Sequence, residues 1–477
     1  MKASFINPAA SPVSSSQATS INPSITPPLG ILHLASVVES QGHQATVSDL
    51  DAQPMDWDGL SEFVSGADLI GLSLTTYSLR SGLEIAKYIE ENHPETFVVA
   101  GGPHPTSAPE ETLDCSAIDC VCIGEGERTI IELIQALEND FSLSLVDGIA
   151  YKDGNEIKYT ASRDEIEDLD KIPFPAMEKV NLNNYSSSPH GPAGESAPIM
   201  STRGCSFSCN YCVSEETMGR AVRFRSPEDI ISEIEYLRRE CGVSNIMFWD
   251  DTLTLSKQWF LDIGEALTNI DVTYTCFTRV DTFDEDIARV MKEGGCQMIF
   301  FGIESSDNDI LDKLDKGITR CEISDAFELC HQYNIPKTAS FMITPWDDDE
   351  TIEGDIEFVK QILPEYLYVS VLNPLPESRI LELAQDQGKF DESINWKQHK
   401  SQQAPMNRPV FSFEQLSRGD MNKLQEKFYT EYYSSRVYKE YITDALEEPE
   451  LSNHLLRIRD YISDFEGKYN NIVEVQA

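Results

Sequence analysis

In the stretch RGCSFSCNYC, residues 203–212, three residues separate Cys205 from Cys209 and two separate Cys209 from Cys212. Thiolates at such spacing can hold a metal centre or carry out thiol exchange. Zinc ordinarily takes four ligands from two C-x-x-C pairs, and no second pair or nearby histidine completes that set. A redox C-x-x-C pair would leave Cys205 without a role. Three thiolates on one tight loop suit three corners of an iron–sulfur cube whose fourth iron stays open. Gly204 permits the bend ahead of the loop. Tyr211 places an aromatic edge beside the last thiol.

The other eight of the eleven cysteines read differently. Cys241, Cys276, Cys296, Cys321 and Cys330 are isolated in apolar stretches and read as small core residues. Cys120 and Cys122 alternate with Val121 on an expected strand and share a face; together with Cys115 they also read as core.

The elements that must carry the cysteine loop alternate between strand and helix. SAPIMSTRG is a β-rich run leading into it, and SPEDIISEIEYLRRE follows as a helix with Ser226 at its N-cap and Pro227 in its first turn. NIMFWDD, DVTYTCFTR, QMIFFGIES, TASFMITP and EYLYVSVLNPLP continue the strands, with helices between them. Six such steps predict a parallel sheet curled into a partial (βα)6 barrel. Chemistry in such a sheet gathers at the carboxyl ends of the strands, here marked by Asp250-Asp251, Arg279, Glu304-Ser305 and Thr344.

Ahead of this unit, ASFINP, QATVSDL, ADLIGLSLTT, ETFVVAGG and CVCIGEG are five apolar strands at βα spacing. They predict a doubly wound α/β domain with ligand loops at the strand ends. Gly101-Gly102, Gly124 and Gly126 would let its backbone approach a large flat ligand, although ordinary turns use glycine as well.

Composition bounds the rest. The chain has 477 residues, enough for two or three domains, and 40% hydrophobic residues, enough for real cores. No apolar run is long enough to cross a bilayer, and MKASFINPAASPVSSS lacks the apolar centre of a signal peptide, so a cytoplasmic location is expected. There, eleven cysteines do not imply a disulfide framework. With 81 acidic against 37 basic residues the net charge is −44, which argues against nucleic acid or anionic lipid as partners. The acidic residues are spread along the chain, as on a surface adapted to high internal salt.

The cysteine spacing, with an aromatic residue before the last thiol, resembles the signature of the radical S-adenosylmethionine (SAM) superfamily. The resemblance implies a 4Fe-4S cluster whose open iron chelates the amino and carboxylate groups of SAM. Reductive cleavage to a 5'-deoxyadenosyl radical would follow, with electrons from a partner such as flavodoxin or ferredoxin. By position, Asp250 or Asp251 in WDDT would accept from the methionine amine, Arg279 would meet the SAM carboxylate, and Glu304 with Ser305 in GIES would reach the ribose. The chain departs from the family after the fifth strand, where ITPWDDDE replaces a Gly-Pro-Gly-Glu-like turn.

The N-terminal half resembles the cobalamin-binding domain of methionine synthase and the mutases. Ser73 and Thr75 in SLTT fit that family's second element, Gly101-Gly102 its third, and ITPPLG ending at Gly30 falls on its first. Pro27 then stands where the family has its cobalt-ligating histidine, which implies base-off cobalamin without a histidine on cobalt. PPLG, GGPHP and GEGERT are similar to the same half of cobalamin-dependent radical SAM enzymes. His104, after the fourth strand, is expected to make a loop or tail contact to the cofactor.

The expected organisation is a cobalamin-binding domain over 1–145, a linker over 146–190 that straps the halves together, a radical SAM barrel over 191–395, and a small helical C-terminal domain over 396–477. In the last, Leu424, Phe428 and Tyr432 lie at helical spacing beside Tyr429 and Tyr433. The resemblance is to the branch holding carbon methyltransferases and the anaerobic oxidative cyclase of chlorophyll synthesis. It implies methylation of an unactivated carbon in a small-molecule or lipid-like substrate. The alternatives are cobalamin-assisted oxidation, cyclisation or rearrangement, or a non-catalytic cobalamin sensor.

Overall fold

The computed structural model describes residues 1–9, 26–185, 191, 194–386 and 416–446. Its first sheet contains β1 (Lys2–Asn7), β2 (Gln44–Asp49), β3 (Leu69–Ser73), β4 (Phe97–Gly101) and β5 (Cys120–Cys122), parallel and in the order β2-β1-β3-β4-β5. Alternate residues of each strand enter two separate cores, as the period of two requires. Ile6, Ile70, Leu72, Val98, Ala100 and Val121 pack on one face. Phe5, Leu69, Val99, Cys120 and Cys122 pack on the other. Gly71 makes room for Phe5, since a Cβ there would stand 2.6 Å from that ring.

The expected linker begins differently. Residues 149–159 form a hairpin, β6 (Ile149–Asp153) and β7 (Glu156–Tyr159), which extends the sheet antiparallel past β5. Ile149 and Ala150 are buried, and the hairpin covers an edge that the three-residue β5 would otherwise expose. The strap proper lies along the helix Leu29–Ser40. Ser36 Oγ donates to the Phe174 carbonyl (2.6 Å), and Ala176 N donates to the Leu32 carbonyl (3.2 Å). Residues 186–190, at the end of the expected linker, lie outside the described residues.

The second unit opens with β8 (Ser196–Ile199), then a two-residue antiparallel ladder of β9 (Thr202–Arg203) with β10 (Arg223–Phe224). Next come β11 (Asn245–Phe248), β12 (Thr273–Thr278), β13 (Cys296–Glu304), β14 (Lys337–Ile343) and β15 (Tyr366–Val371). The large sheet runs β8-β11-β12-β13-β14-β15, every pair parallel. The Pro227–Cys241 helix is capped as expected, with Ser226 accepting from Asp229 N. The β9–β10 ladder clasps the base of the cysteine loop.

Among the described residues the sheet is not closed, and β15 is an edge strand. The helix Arg418–Tyr433 lies along it and supplies what a seventh strand would. Val369 N donates to Tyr429 Oη (2.8 Å), Leu367 N donates to Tyr433 Oη (2.9 Å), and Gln425 Nε2 donates to the Val369 carbonyl (2.7 Å). Leu424, Phe428 and Tyr432 are buried in the barrel's own hydrophobic core. The described part of the helical C-terminal region therefore shares that core. Residues 396–415 and 447–477 lie outside the described residues. Among the described residues no helix is long and apolar enough to cross a membrane.

Candidate active site

The cysteine loop is pinned from below by Asp250, which is 2% exposed at the end of β11. Its carboxylate accepts from the backbone N–H and the hydroxyl of both Ser201 and Thr202, at 2.5–2.9 Å. Burial raises its pKa to about 6, and the four donors pull the other way. Those bonds turn the chain from β8 into the loop. Gly204 follows at φ +93°, where a Cβ would come within 2.5 Å of the Ala221 carbonyl.

Cys205 and Cys209 are half-buried and Cys212 is exposed. Burial pushes the Cys205 thiol up. Ser214 N–H points at Cys212 Sγ (3.4 Å), and Arg279 Nη1 lies 3.7 Å from Cys209 Sγ. Among the described residues no three His, Cys, Asp or Glu side chains are grouped to hold one metal ion. Three thiols on one loop, two of them facing N–H donors, fit the corners of a multi-iron cluster instead.

The strand-end residues sort into two groups around this loop. Asp251 faces it, taking a hydrogen bond from Ser214 Oγ (2.9 Å). Glu304 also faces it: Tyr211 Oη donates to its Oε1 (2.9 Å), and Lys316 Nζ reaches the same oxygen (2.9 Å). Glu304 sits at φ +70°, a strained setting for a residue with a Cβ, next to a register shift in β13. Gly302 leaves space for the pair, because a Cβ there would meet both Lys316 Nζ and Glu304 Oε1 at 2.9 Å.

The second group is engaged within the protein. Asp250 is used up on the loop, so only Asp251 of that pair faces the thiols. Ser305 turns inward, its hydroxyl donating to buried Asp355 (3.2 Å). Arg279 forms a forked ion pair with Asp281 (2.8 and 2.9 Å), donates to the Lys316 carbonyl (2.7 Å), and stacks 3.6 Å above Phe207. It is thus a cation beside Cys209, with its donors committed within the protein.

Across from the loop, a cavity of about 500 Å³ opens at the carboxyl ends of β1, β3, β4 and β5. Pro27, Gly30, Ser73 and Thr75 line it, as do Gly101, Gly102, Gly124 and Gly126. Side chains added at Gly30 or Gly124 would meet nothing and stand in open space, whereas a Cβ at Gly102 (φ +99°) would strike the Leu74 carbonyl at 2.9 Å. This bare, backbone-walled cradle at the switch point between β1 and β3 fits a large flat cofactor. His104 does not line it. The turn at Gly102 buries its ring against Thr76 Oγ1 (3.2 Å) and beside Glu111 (3.7 Å).

The same cavity is bounded on the barrel side by Met200, Arg203 and Trp249. Trp249 continues an aromatic wall along the barrel strands, edge-on to Phe277 (5.2 Å), which packs on Phe300 (4.9 Å). Arg203, two residues before Cys205, is clamped by Glu125 (2.7 Å) and Glu127 (2.5 Å) from the first unit, and Arg223 joins Glu125 at 2.9 Å. Sequence reasoning passed over Arg203, Arg223, Glu125, Glu127, Lys316 and His33. A signal was present, since GEGER places two acids where TRG and VRFR bring arginines.

Residues 22–134 match the B12 binding domain, and residues 199–359 match the radical SAM superfamily. An uncharacterized methyltransferase of Pyrococcus horikoshii is 32% identical over 415 residues, covering 85% of this chain and 88% of that relative. The anaerobic magnesium-protoporphyrin IX monomethyl ester cyclase of Synechocystis is 30% identical over 387 residues, 76% of each chain. The solved structure of OxsB, a cobalamin-dependent SAM radical enzyme with aqua-cobalamin and SAM bound, aligns with a TM-score of 0.72 at 18% identity, over 98% of this chain and 72% of that one. TsrM, a radical SAM methyltransferase from Kitasatospora setae, aligns at 0.67 and 17% identity over 81% and 76%. At these identities the two structures speak for the fold. With both domains matched in order and relatives at 30% or more along most of the chain, this protein belongs to the cobalamin-binding radical SAM enzymes, whose cofactors are a 4Fe-4S cluster, SAM and cobalamin.

Proposed function

We propose that this enzyme methylates a carbon without an acidic proton in an apolar small-molecule or lipid-like substrate. The observation that carries the reading is the single cavity bounded by the glycine cradle on one side and by Met200, Arg203 and Trp249 on the other. Delivering a methyl group to a carbon radical needs both cofactors to face one dry space. When bound, the cluster supplies the electron that cleaves SAM, and cobalamin carries the methyl group.

The chain's own residues then divide the work. Cys205, Cys209 and Cys212 hold the cluster, with the Arg279 cation balancing charge beside Cys209. Tyr211 offers its edge next to the last thiol. Asp251 receives the SAM amine and Glu304 the ribose, while Lys316 and Tyr211 keep the Glu304 carboxylate in place. The cradle of Pro27, Gly30, Ser73, Thr75, Gly101, Gly102, Gly124 and Gly126 seats the cobalamin. Trp249, Phe277 and Phe300 exclude water and favour an apolar substrate.

The relative from Synechocystis gives a second reading, oxidative cyclisation without methyl transfer. One experiment separates the two. Protein reconstituted anaerobically with iron, sulfide and hydroxocobalamin is reduced in the presence of SAM, and the nucleoside products formed in turnover coupled to substrate are quantified. Methyl transfer releases 5'-deoxyadenosine together with S-adenosylhomocysteine. Deoxyadenosine alone would turn the assignment to cyclisation or oxidation.

A further inference from the structure

His33, on the helix Leu29–Ser40, lines the cavity and is 9% exposed. Its Nδ1 lies 3.2 Å from the Pro173 carbonyl on the strap. A carbonyl can only accept, so Nδ1 carries the hydrogen. Burial, with the Arg203 cation nearby, lowers the pKa of the ring to about 4. The imidazole is therefore neutral at physiological pH, and Nε2 keeps its lone pair. The ring is fixed in this tautomer by the backbone of a different segment.

We propose that His33 anchors cobalamin from the N-terminal half as a hydrogen-bond acceptor, its Nε2 taking a donor N–H from a peripheral carboxamide of the corrin rather than binding cobalt. This rests on the reading that cobalamin occupies the cavity. A ligand rich in primary amides brings donors to every wall, and the cavity lining here is mostly apolar. A fixed, uncharged acceptor satisfies one of them without the desolvation cost of a carboxylate. The strap that joins the two halves thereby sets the orientation of a cofactor contact.

The test uses the full-length, cluster-reconstituted protein, titrated with hydroxocobalamin, and compares His33→Asn with His33→Gln. Asparagine keeps a donor for the Pro173 carbonyl but offers nothing at the Nε2 position. Glutamine places an acceptor there. The expected result is that His33→Asn loses roughly tenfold in cobalamin affinity, while His33→Gln stays within about threefold of the parent. The visible spectrum of the bound cofactor, and the EPR spectrum of its Co(II) form, should be the same in all three. Iron content per chain, equal throughout, shows that the variants are folded. Equal affinity in both variants overturns the proposal. Nitrogen splitting in the parent EPR that vanishes in His33→Asn overturns it as well, by making His33 a cobalt ligand. A parent that retains no cobalamin takes down the cavity reading itself, and the anchor with it.

Discussion

Arg203 and Glu127 meet at 2.5 Å across the junction of the two sheets, each side chain only about a tenth exposed. One stands two residues from the first cluster thiol, and the other opens the helix that follows β5. A pair buried this deeply contributes little net stability compared with apolar substitutes, yet losing one partner strands a charge.

Arg203→Ala, which takes away the guanidinium paired with Glu127 while Glu125 keeps Arg223, is therefore expected to lower unfolding stability by about 3–5 kcal/mol, measured by urea denaturation. The pair Glu127→Leu with Arg203→Met should recover most of that loss while leaving the two cofactor sites poorly aligned. Its signature would be an altered ratio of deoxyadenosine to S-adenosylhomocysteine at unchanged iron and cobalamin content. An unaltered ratio would reduce the clamp to packing.

Asp250 holds the start of the cysteine loop through Ser201 and Thr202. Asp250→Ala leaves four donors without an acceptor, and we expect a loss of roughly 3–5 kcal/mol, with iron content after reconstitution falling severalfold. Cobalamin retention should persist, because the glycine cradle lies on the other sheet. Iron and cobalt analysis of the purified variant checks both halves of this statement.

Tyr429→Phe and Tyr433→Phe each remove the acceptor for a buried edge-strand N–H. Each should cost about 1–3 kcal/mol, and the double variant should scatter light at concentrations where the parent does not. Denaturant midpoints and static light scattering measure these effects.

The pH dependence of stability carries the mark of Asp355. Burial raises its pKa to about 7, against about 3.9 in an unfolded chain. The folded form then holds the proton more tightly. The stability this confers is complete below about pH 4 and is lost as the pH rises through about 7. Asp355→Asn is uncharged throughout, so its stability relative to the parent should rise by roughly 1–3 kcal/mol between pH 5 and pH 8. Thermal melts at the two pH values provide the comparison.

A surface of net charge −44 repels itself. Raising KCl from about 0.1 M to about 1 M should shorten the screening length from about 10 Å to about 3 Å and raise the melting temperature. A flat response would remove the salt-adapted reading.

Both sheets were legible in the sequence because buried parallel strands read as short apolar runs between helices. All six barrel strands and the five parallel strands of the first sheet stand where those runs predict. The hairpin of β6 and β7 was missed, since YKDGNEIKYT is polar and reads as a linker; only its contact with β5 makes it part of the sheet. At the site, the cysteine spacing carried its own chemistry, and the glycine positions converged on one cavity. Charged strand ends were harder. Asp250 and Asp251 are adjacent and identical in type, and only the packing of Ser201 and Thr202 distinguishes the buried one from the one facing the thiols. His104 looked like a cofactor contact because it follows Gly101-Gly102, but the direction of its side chain depends on a turn that residue identity does not specify. The Arg203 clamp joins residues nearly eighty positions apart, and a single chain read alone gives no measure of such pairing.

The tyrosines along β15 have a consequence for how this architecture can diversify. Where two strands meet, their spacing is fixed near 4.8 Å by a continuous ladder. Here the last seam is made by side-chain hydroxyls on a helix, which tolerate a change of tilt or register that a ladder does not. The girth of the barrel is thus adjustable from outside, by repacking one helix, without touching a thiol, a glycine or a strand.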